Sequence, residues 1–321
     1  VRLVTNVDSP LPSPARAEPS TRAPLRVGLV QHRWHRRPEE HADAIAEGVR
    51  LAADAGARIV CLMELTLSPY FAVEPDGPGA NVLGVAIEPE PLIDGPTHRL
   101  AARLAADTGV AIHASLYEAP DDAADDARGF NTAICVAPSG ALLAHTRKVH
   151  LPVTAGYYED RWFRPGDTGY PVVEIADTAF GFPTCWDQWF PELARAYALA
   201  GAEALVFPTA IGSEPDHPGF DTQPIWERVI TANGVTNGLH MLVVNRVGVE
   251  GPLRFYGSSF VSDPYGRVLA RAPRDEPCAL VVDLDLDARR DWLALFPLLT
   301  TRRPATYASL VDGGAAGTHD R

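Results

Sequence analysis

The chain has 321 residues, 46% of them hydrophobic and 21% charged, which is enough apolar material for one sizeable core in a single domain. Its formal net charge of −13 and pI of about 5.2 argue against a nucleic-acid partner, because phosphate binding needs a cationic face. No run approaches the roughly 18 apolar residues of a membrane helix; the four cysteines are scattered with no Cys-x-x-Cys pair and no apolar targeting segment is visible, so free thiols and a cytoplasmic location are expected.

Residues 1–24 carry five prolines and few large hydrophobes, a composition that predicts a disordered or loosely attached tail. A start at Val1 suggests processing or trimming. The next segment, 25–286, alternates strand-like and helix-like runs. The strand-like runs are Arg26 to Gln31, Arg58 to Leu62, Val110 to Leu116, Thr132 to Ala137, Ala141 to Thr146, Ala204 to Phe207, Met241 to Asn245, Ser258 to Val261 and Ala279 to Val282. The helix-like runs are Glu39 to Ala55, Pro96 to Thr108, Pro191 to Ala200 and Ile225 to Thr236. Ala42, Ile45, Ala46, Val49 and Ala53 mark the apolar face of the first helix. This alternation predicts an α/β domain of stacked sheets with helices outside. Residues 287–321 form a terminal arm whose Trp292, Leu293, Leu295, Phe296, Leu298 and Leu299 suit packing on a neighbouring subunit or, equally, on the chain's own core.

Arg33, Arg36 and Arg37 read as a solvated basic loop. His32 and His35 have no Cys or carboxylate partner at ligand spacing, so they read as surface or loop residues and no metal is expected. Cys61, Cys135 and Cys278 lie in apolar runs and read as core. The loops 69–91, 121–126 and 212–224 are rich in acids, Pro and Gly, and any of them could rim a pocket.

Cys185 is different, because it sits between an apolar run and a helix that opens at Pro191. A helix N-terminus and a nearby cation both stabilise a thiolate, and free N–H groups there can receive an oxyanion. Glu64 follows a buried strand-like run, and Lys148 follows another. Each alone has an ordinary reading, a small buried hydrophobe or a solvated charge. Together they form a reaction set for cleaving a carbon–nitrogen bond through an acyl-thiol. Glu64 takes the thiol proton, passes one to the leaving nitrogen and later activates water. Lys148 and the N–H of Trp186 stabilise the oxyanion.

The ordered blocks Leu62-Met63-Glu64-Leu65, Arg147-Lys148-Val149-His150-Leu151-Pro152 and Cys185-Trp186-Asp187-Gln188-Trp189-Phe190-Pro191-Glu192 resemble the nitrilase superfamily of carbon–nitrogen hydrolases. The last block and Phe207-Pro208-Thr209-Ala210-Ile211-Gly212-Ser213-Glu214-Pro215 resemble most the N-carbamoylputrescine amidases, enzymes of polyamine metabolism. The resemblance implies a four-layer α-β-β-α sandwich, assembly into a homodimer or larger homo-oligomer, and no cofactor. It implies a catalytic triad of Glu64, Lys148 and Cys185. In Tyr158-Glu159-Asp160 it makes Glu159 the candidate second glutamate beside the lysine, with Asp160 as the competing choice. Asn131-Thr132-Ala133 also resembles a family block and reads as structural support. Trp186, Asp187, Thr209 and Glu214 are candidate substrate-binding residues; Asp187, Glu214 or Asp221 could pair with an amine tail.

Two departures from that pattern bear on substrate. Gly234 and Gly238 lie in a presumptive helix, where each glycine costs about 1 kcal/mol relative to alanine, so the helix is expected to end or bend early. Pro183 stands where a central strand would need a donor N–H, which predicts a bulge or a strand end. The expected activity is hydrolysis of a small linear N-carbamoyl amine or amide. The alternatives are a nitrilase or acyl transferase using the same thioester, and a catalytically silent interaction protein that keeps the fold.

Overall fold

A computed structural model describes residues 1–6, 11–121 and 126–310. Two sheets form its centre. The first has seven strands in the order Arg2–Thr5, Cys278–Leu284, Leu25–Gln31, Ile59–Leu62, Ala111–Glu118, Phe130–Val136 and Leu142–Arg147. Its middle strands, from Leu25–Gln31 through Ala111–Glu118, run parallel and are buried almost throughout, as their unbroken apolar runs require. The second sheet has six strands in the order Val172–Ile175, Thr178–Gly181, Ala204–Pro208, His240–Val244, Phe260–Ser262 and Val268–Arg271.

The sheets face each other through Leu29, Cys61, Cys135, Phe180, Val206 and Leu242. Helices Pro38–Asp54 and Pro96–Thr108 cover the outer face of the first sheet, through Ile45, Val49 and Leu104. Helices Pro191–Leu199 and Gln223–Asn237 cover the second, through Leu193, Tyr197, Trp226 and Ile230. The result is the four-layer α-β-β-α sandwich. Glycine sets how closely the first helix lies on its sheet: a Cβ on Gly28 would come within 2.8 Å of Ala52, and one on Gly48 within 2.4 Å of Val30. Strand and helix each give up a side chain where the other presses.

Several expectations need correction. The described part of residues 1–24 is anchored, not loose. Arg2–Thr5 adds a parallel edge strand against Cys278–Leu284, Arg16 donates to Asp285 at 2.7 Å, and the backbone N–H of Thr21 donates to Asp287 at 2.6 Å. The donors in the last two contacts come from Arg16 and Thr21, which are not among the prolines, so the missing N–H groups of the prolines do not weaken them. The helix carrying Gly234 continues to Asn237 and stops at Gly238, whose φ of 64° makes it the left-handed cap. A Cβ on Gly234 would lie 2.9 Å from Met241, so this glycine admits the neighbouring strand. Pro183 does mark a strand end, since Thr178–Gly181 stops two residues before it. The terminal helix Ala288–Leu295 packs on its own body, with the Trp292 indole donating to the carbonyl of Val235 at 2.8 Å. His32 is buried, its ring 5.1 Å from that of His41. In the acidic loop, residues 122–125 lie outside the described residues, while Asp121 pairs with Arg147 and Asp126 with Arg128. Among the described residues no helix is long and apolar enough to cross a membrane, and no cluster of ligating side chains could hold a metal ion.

Candidate active site

The site is assembled from the ends of strands in both sheets. Glu64 lies two residues past Ile59–Leu62 and Lys148 immediately follows Leu142–Arg147, both in the first sheet. The backbone N–H of Lys148 donates to the carbonyl of Asn131 at 2.8 Å, which extends the strand pairing to the lysine. Glu159 opens a single helical turn, Glu159–Trp162. Cys185 comes from the second sheet, four residues past the end of Thr178–Gly181. A five-residue 3-10 turn, Cys185–Trp189, separates it from the helix at Pro191. The thiol therefore does not sit at the mouth of that helix, as the sequence suggested.

All four side chains are buried. The Lys148 ammonium donates to Glu64 Oε1 at 2.8 Å and reaches Glu159 Oε2 at 2.7 Å. Asn131 donates from Nδ2 to Glu64 Oε1 at 2.8 Å, and the hydroxyl of Tyr70 donates to Glu159 Oε1 at 2.8 Å. The second oxygen of Glu64 has no hydrogen-bond partner among the described residues. A buried carboxylate oxygen left unpaired is costly, and it leaves the base an open position for a proton.

The electrostatics follow from two carboxylates around one ammonium. Burial works against the charge on Lys148, but Glu159 and Glu64 outweigh it and hold the lysine protonated well above its usual range. Burial, with help from Glu64, raises Glu159 to about 7 against the pull of Lys148. Burial likewise pushes the Cys185 thiol well above its usual range; Glu64 adds to this, while Lys148 and the N–H of Ala210 oppose it. These surroundings favour the neutral thiol, whereas a helix terminus would favour the thiolate.

Cys185 opens into a cavity of about 300 Å³ walled by Tyr157, Trp186, Trp189, Ile211, Phe220 and Ile225, among others. The lining holds two carboxylates, Glu159 and Glu214, and no Lys, Arg or His. Of the candidate substrate-binding residues, Trp186 and Glu214 line it. Asp187 does not: its carboxylate accepts from the backbone N–H of His150 at 3.0 Å, from His150 Nδ1 at 2.8 Å and from the Thr184 hydroxyl at 3.0 Å. It fastens the loop after Lys148 to the turn that carries Cys185. Thr209 is buried with its hydroxyl donating to the carbonyl of Phe207, and it is its neighbour Ala210 that touches the cysteine. Asp221 is held outside by Arg274, and Asp160 pairs with Arg161 toward solvent.

Sequence reasoning missed Tyr70 and took Asn131 for support alone. Asn131 left a legible signal, because an amide in a strand buried at all seven positions must find polar partners. Tyr70 left none, since it lies in a loop whose path depends on the rest of the fold.

Residues at or just past strand ends of two stacked sheets thus meet around one cavity. The family model described as Carbon-nitrogen hydrolase matches residues 26–294, so the chain belongs to that family and is an enzyme of it. It is 35% identical over 271 residues to the N-carbamoylputrescine amidase of Solanum tuberosum, covering 82% of this chain and 87% of the relative. It is 31% identical over 293 residues to the citrullinase of Francisella tularensis, covering 90% and 99%. Among solved structures it resembles a variant of the amidase from Nesterenkonia sp. AN1 in which acrylamide has added to the active-site cysteine, with a TM-score of 0.68, 25% identity, and coverage of 89% and 99%.

Proposed function

We propose that the protein hydrolyses a small linear N-carbamoyl amine through a thioester on Cys185, with Glu64 as acid and base, Lys148 as oxyanion partner and Glu159 as the group that holds Lys148. The observation that carries this reading is a buried thiol opening on an apolar cavity beside a Glu–Lys–Glu cluster whose Glu64 has one oxygen without a hydrogen-bond partner among the described residues. Glu64 accepts the thiol proton as Sγ attacks the carbamoyl carbon. The oxyanion forms against Lys148 and the N–H of Trp186. Glu64 returns the proton to the departing nitrogen, ammonia leaves, and water activated by Glu64 then attacks the thioester. The carbamic acid released breaks down to the amine and CO2.

The cavity favours an amine tail over an amino-acid tail. An α-carboxylate of the citrulline kind would meet no cation in the lining, whereas an ammonium would meet Glu214 and the faces of Trp186 and Trp189. Burial raises the Glu214 carboxyl from its ordinary value, with the Thr222 hydroxyl opposing; an arriving cation reverses that effect. Assembly into a dimer or larger oligomer belongs to the same reading. Its support is the exposed Leu199 and Leu310, which border one groove over helix Pro191–Leu199.

The test is ammonia release from a panel of carbamoyl amines, carbamoyl amino acids, primary amides and nitriles, with the acyl-enzyme mass recorded. Carbamoyl amines should turn over fastest and leave a mass adduct on Cys185. Turnover confined to nitriles, or transfer to an added amine in place of water, would replace this reading with the nitrilase or the transferase.

A further inference from the structure

The base and the nucleophile come from different sheets, so something has to fix one sheet's strand ends against the other's. The side chain of Arg246 is fully buried just past the strand His240–Val244 of the second sheet. It reaches across to the first sheet, where Nη2 donates to the backbone carbonyl of Glu64 at 2.7 Å and to that of Leu65 at 3.2 Å. Its other nitrogen, Nη1, donates to both oxygens of Glu250, at 2.7 and 2.8 Å. Glu250 Oε2 accepts the backbone N–H of Tyr70 at 2.6 Å, and Tyr70 is the residue whose hydroxyl holds Glu159.

Leu65 adds an independent observation. Its φ is 49°, a left-handed conformation that a branched side chain adopts only under constraint. The constraint is visible on both sides of the residue: its N–H donates to the Ser115 hydroxyl at 3.1 Å, and its carbonyl accepts from Arg246. The preceding residue, Asn245, makes a parallel contact inside the second sheet. Its amide exchanges hydrogen bonds with the N–H and carbonyl of Ile211, at 3.1 and 2.9 Å, and Ile211 is part of the cavity wall.

We infer that Arg246 and Glu250 are positioning residues for the reaction: a buried ion pair within one segment, whose arginine reaches across to set Glu64 by its carbonyl and whose glutamate sets Tyr70 by its N–H. A buried ion pair contributes little net stability compared with well-packed apolar groups of the same volume, so stability alone does not account for it. Misplacement of a reacting group by about 1 Å costs on the order of 100-fold in rate. The role assigned to Glu64 rests on the amidohydrolase reading; the clamp on its backbone does not.

The test uses Arg246→Lys, which keeps the buried charge, and Arg246→Met/Glu250→Met, which replaces the pair with apolar volume. Folding is checked by near-ultraviolet circular dichroism. Two measurements are made: steady-state turnover, and the rate at which iodoacetamide alkylates Cys185. In the double variant kcat should fall about 100-fold with KM within threefold, because neither Arg246 nor Glu250 itself lines the cavity, and Arg246→Lys should recover part of the loss. Alkylation should slow, and the double variant carrying Glu64→Gln as well should react no more slowly than Glu64→Gln alone, because the thiol's proton acceptor is then already gone. A folded double variant with kcat within threefold of the parent, or alkylation losses that multiply with Glu64→Gln, would overturn the proposal. Absence of turnover in the parent, with the alkylation result intact, would discard the amidohydrolase reading and keep the clamp.

Discussion

The two halves of the site are built by opposite rules. On the first sheet's side Lys148 and Glu159 are tied by several hydrogen bonds each, and Glu64 by two through one oxygen; every partner is itself buried. On the second sheet's side Cys185 faces aromatic and aliphatic walls, with the N–H of Ala210 as its hydrogen-bond partner. Charges that stabilise a transition state act best when fixed in advance, since no reorganisation is then needed as charge develops. In the proposed mechanism the thiol has a different task, to give up a proton and bond to carbon, and the apolar wall favours its neutral form.

That contrast can be broken at either end. The largest effect should come from Cys185→Ala, which should lower turnover by at least about 10⁴-fold and leave no acyl adduct in the mass spectrum; full activity in this variant would sink the mechanism. Next is Glu64→Gln, which keeps the shape and the Lys148 contact but removes the proton acceptor. A loss of about 10³-fold in kcat is expected, within the range for general acid–base catalysis, and a normal pH–rate profile would refute it. Glu214→Gln should raise KM about 30-fold for a substrate with an ammonium tail and leave a neutral primary amide unchanged, in line with loss of one hydrogen bond to a charged group. An equal rise for both substrates would assign Glu214 to structure.

A smaller effect, read in stability, comes from Glu159. Its carboxyl is raised from 4.5 to about 7 in the fold. Between those values the folded chain keeps a proton that the unfolded chain has released, so this group's contribution to stability falls as pH rises through that window. Glu159→Gln cannot titrate. The variant's Tm relative to the parent should therefore climb between about pH 5 and pH 7 and level off above. A difference that stays constant across this range would mean that Glu159 is not raised.

How much of this was written in the sequence depends on whether a residue's role is local. Glu64, Lys148 and Cys185 were legible because strand ends follow from runs of buried apolar residues, and the chemistry then requires those three types. Val172–Ile175 and Thr178–Gly181 were not read as strands: the run is short, broken by Ala176 and Asp177 at positive φ, and holds the charged Glu174. Asp187 was misread because an acid beside a nucleophile suggests substrate, while its neighbours Thr184 and His150 consume it. Arg246 and Glu250 were invisible, since nothing in their spacing reveals that Arg246 meets the carbonyl of Glu64, 182 residues earlier, or that Glu250 meets the N–H of Tyr70, 180 residues earlier.

The order of strands in the first sheet has a consequence for synthesis. Leu25–Gln31 lies between Ile59–Leu62 and Cys278–Leu284, so one of its two partners is made roughly 250 residues after it. Sheets with such distant partners close slowly, and pairing can begin only when the late strand has emerged. Arg2–Thr5 depends on the same segment, its one strand partner among the described residues. Until then the nascent chain has an open sheet edge, and the acid–base half of the site is seated in an unfinished sheet. The edge closes only once Cys278–Leu284 can pair with Leu25–Gln31.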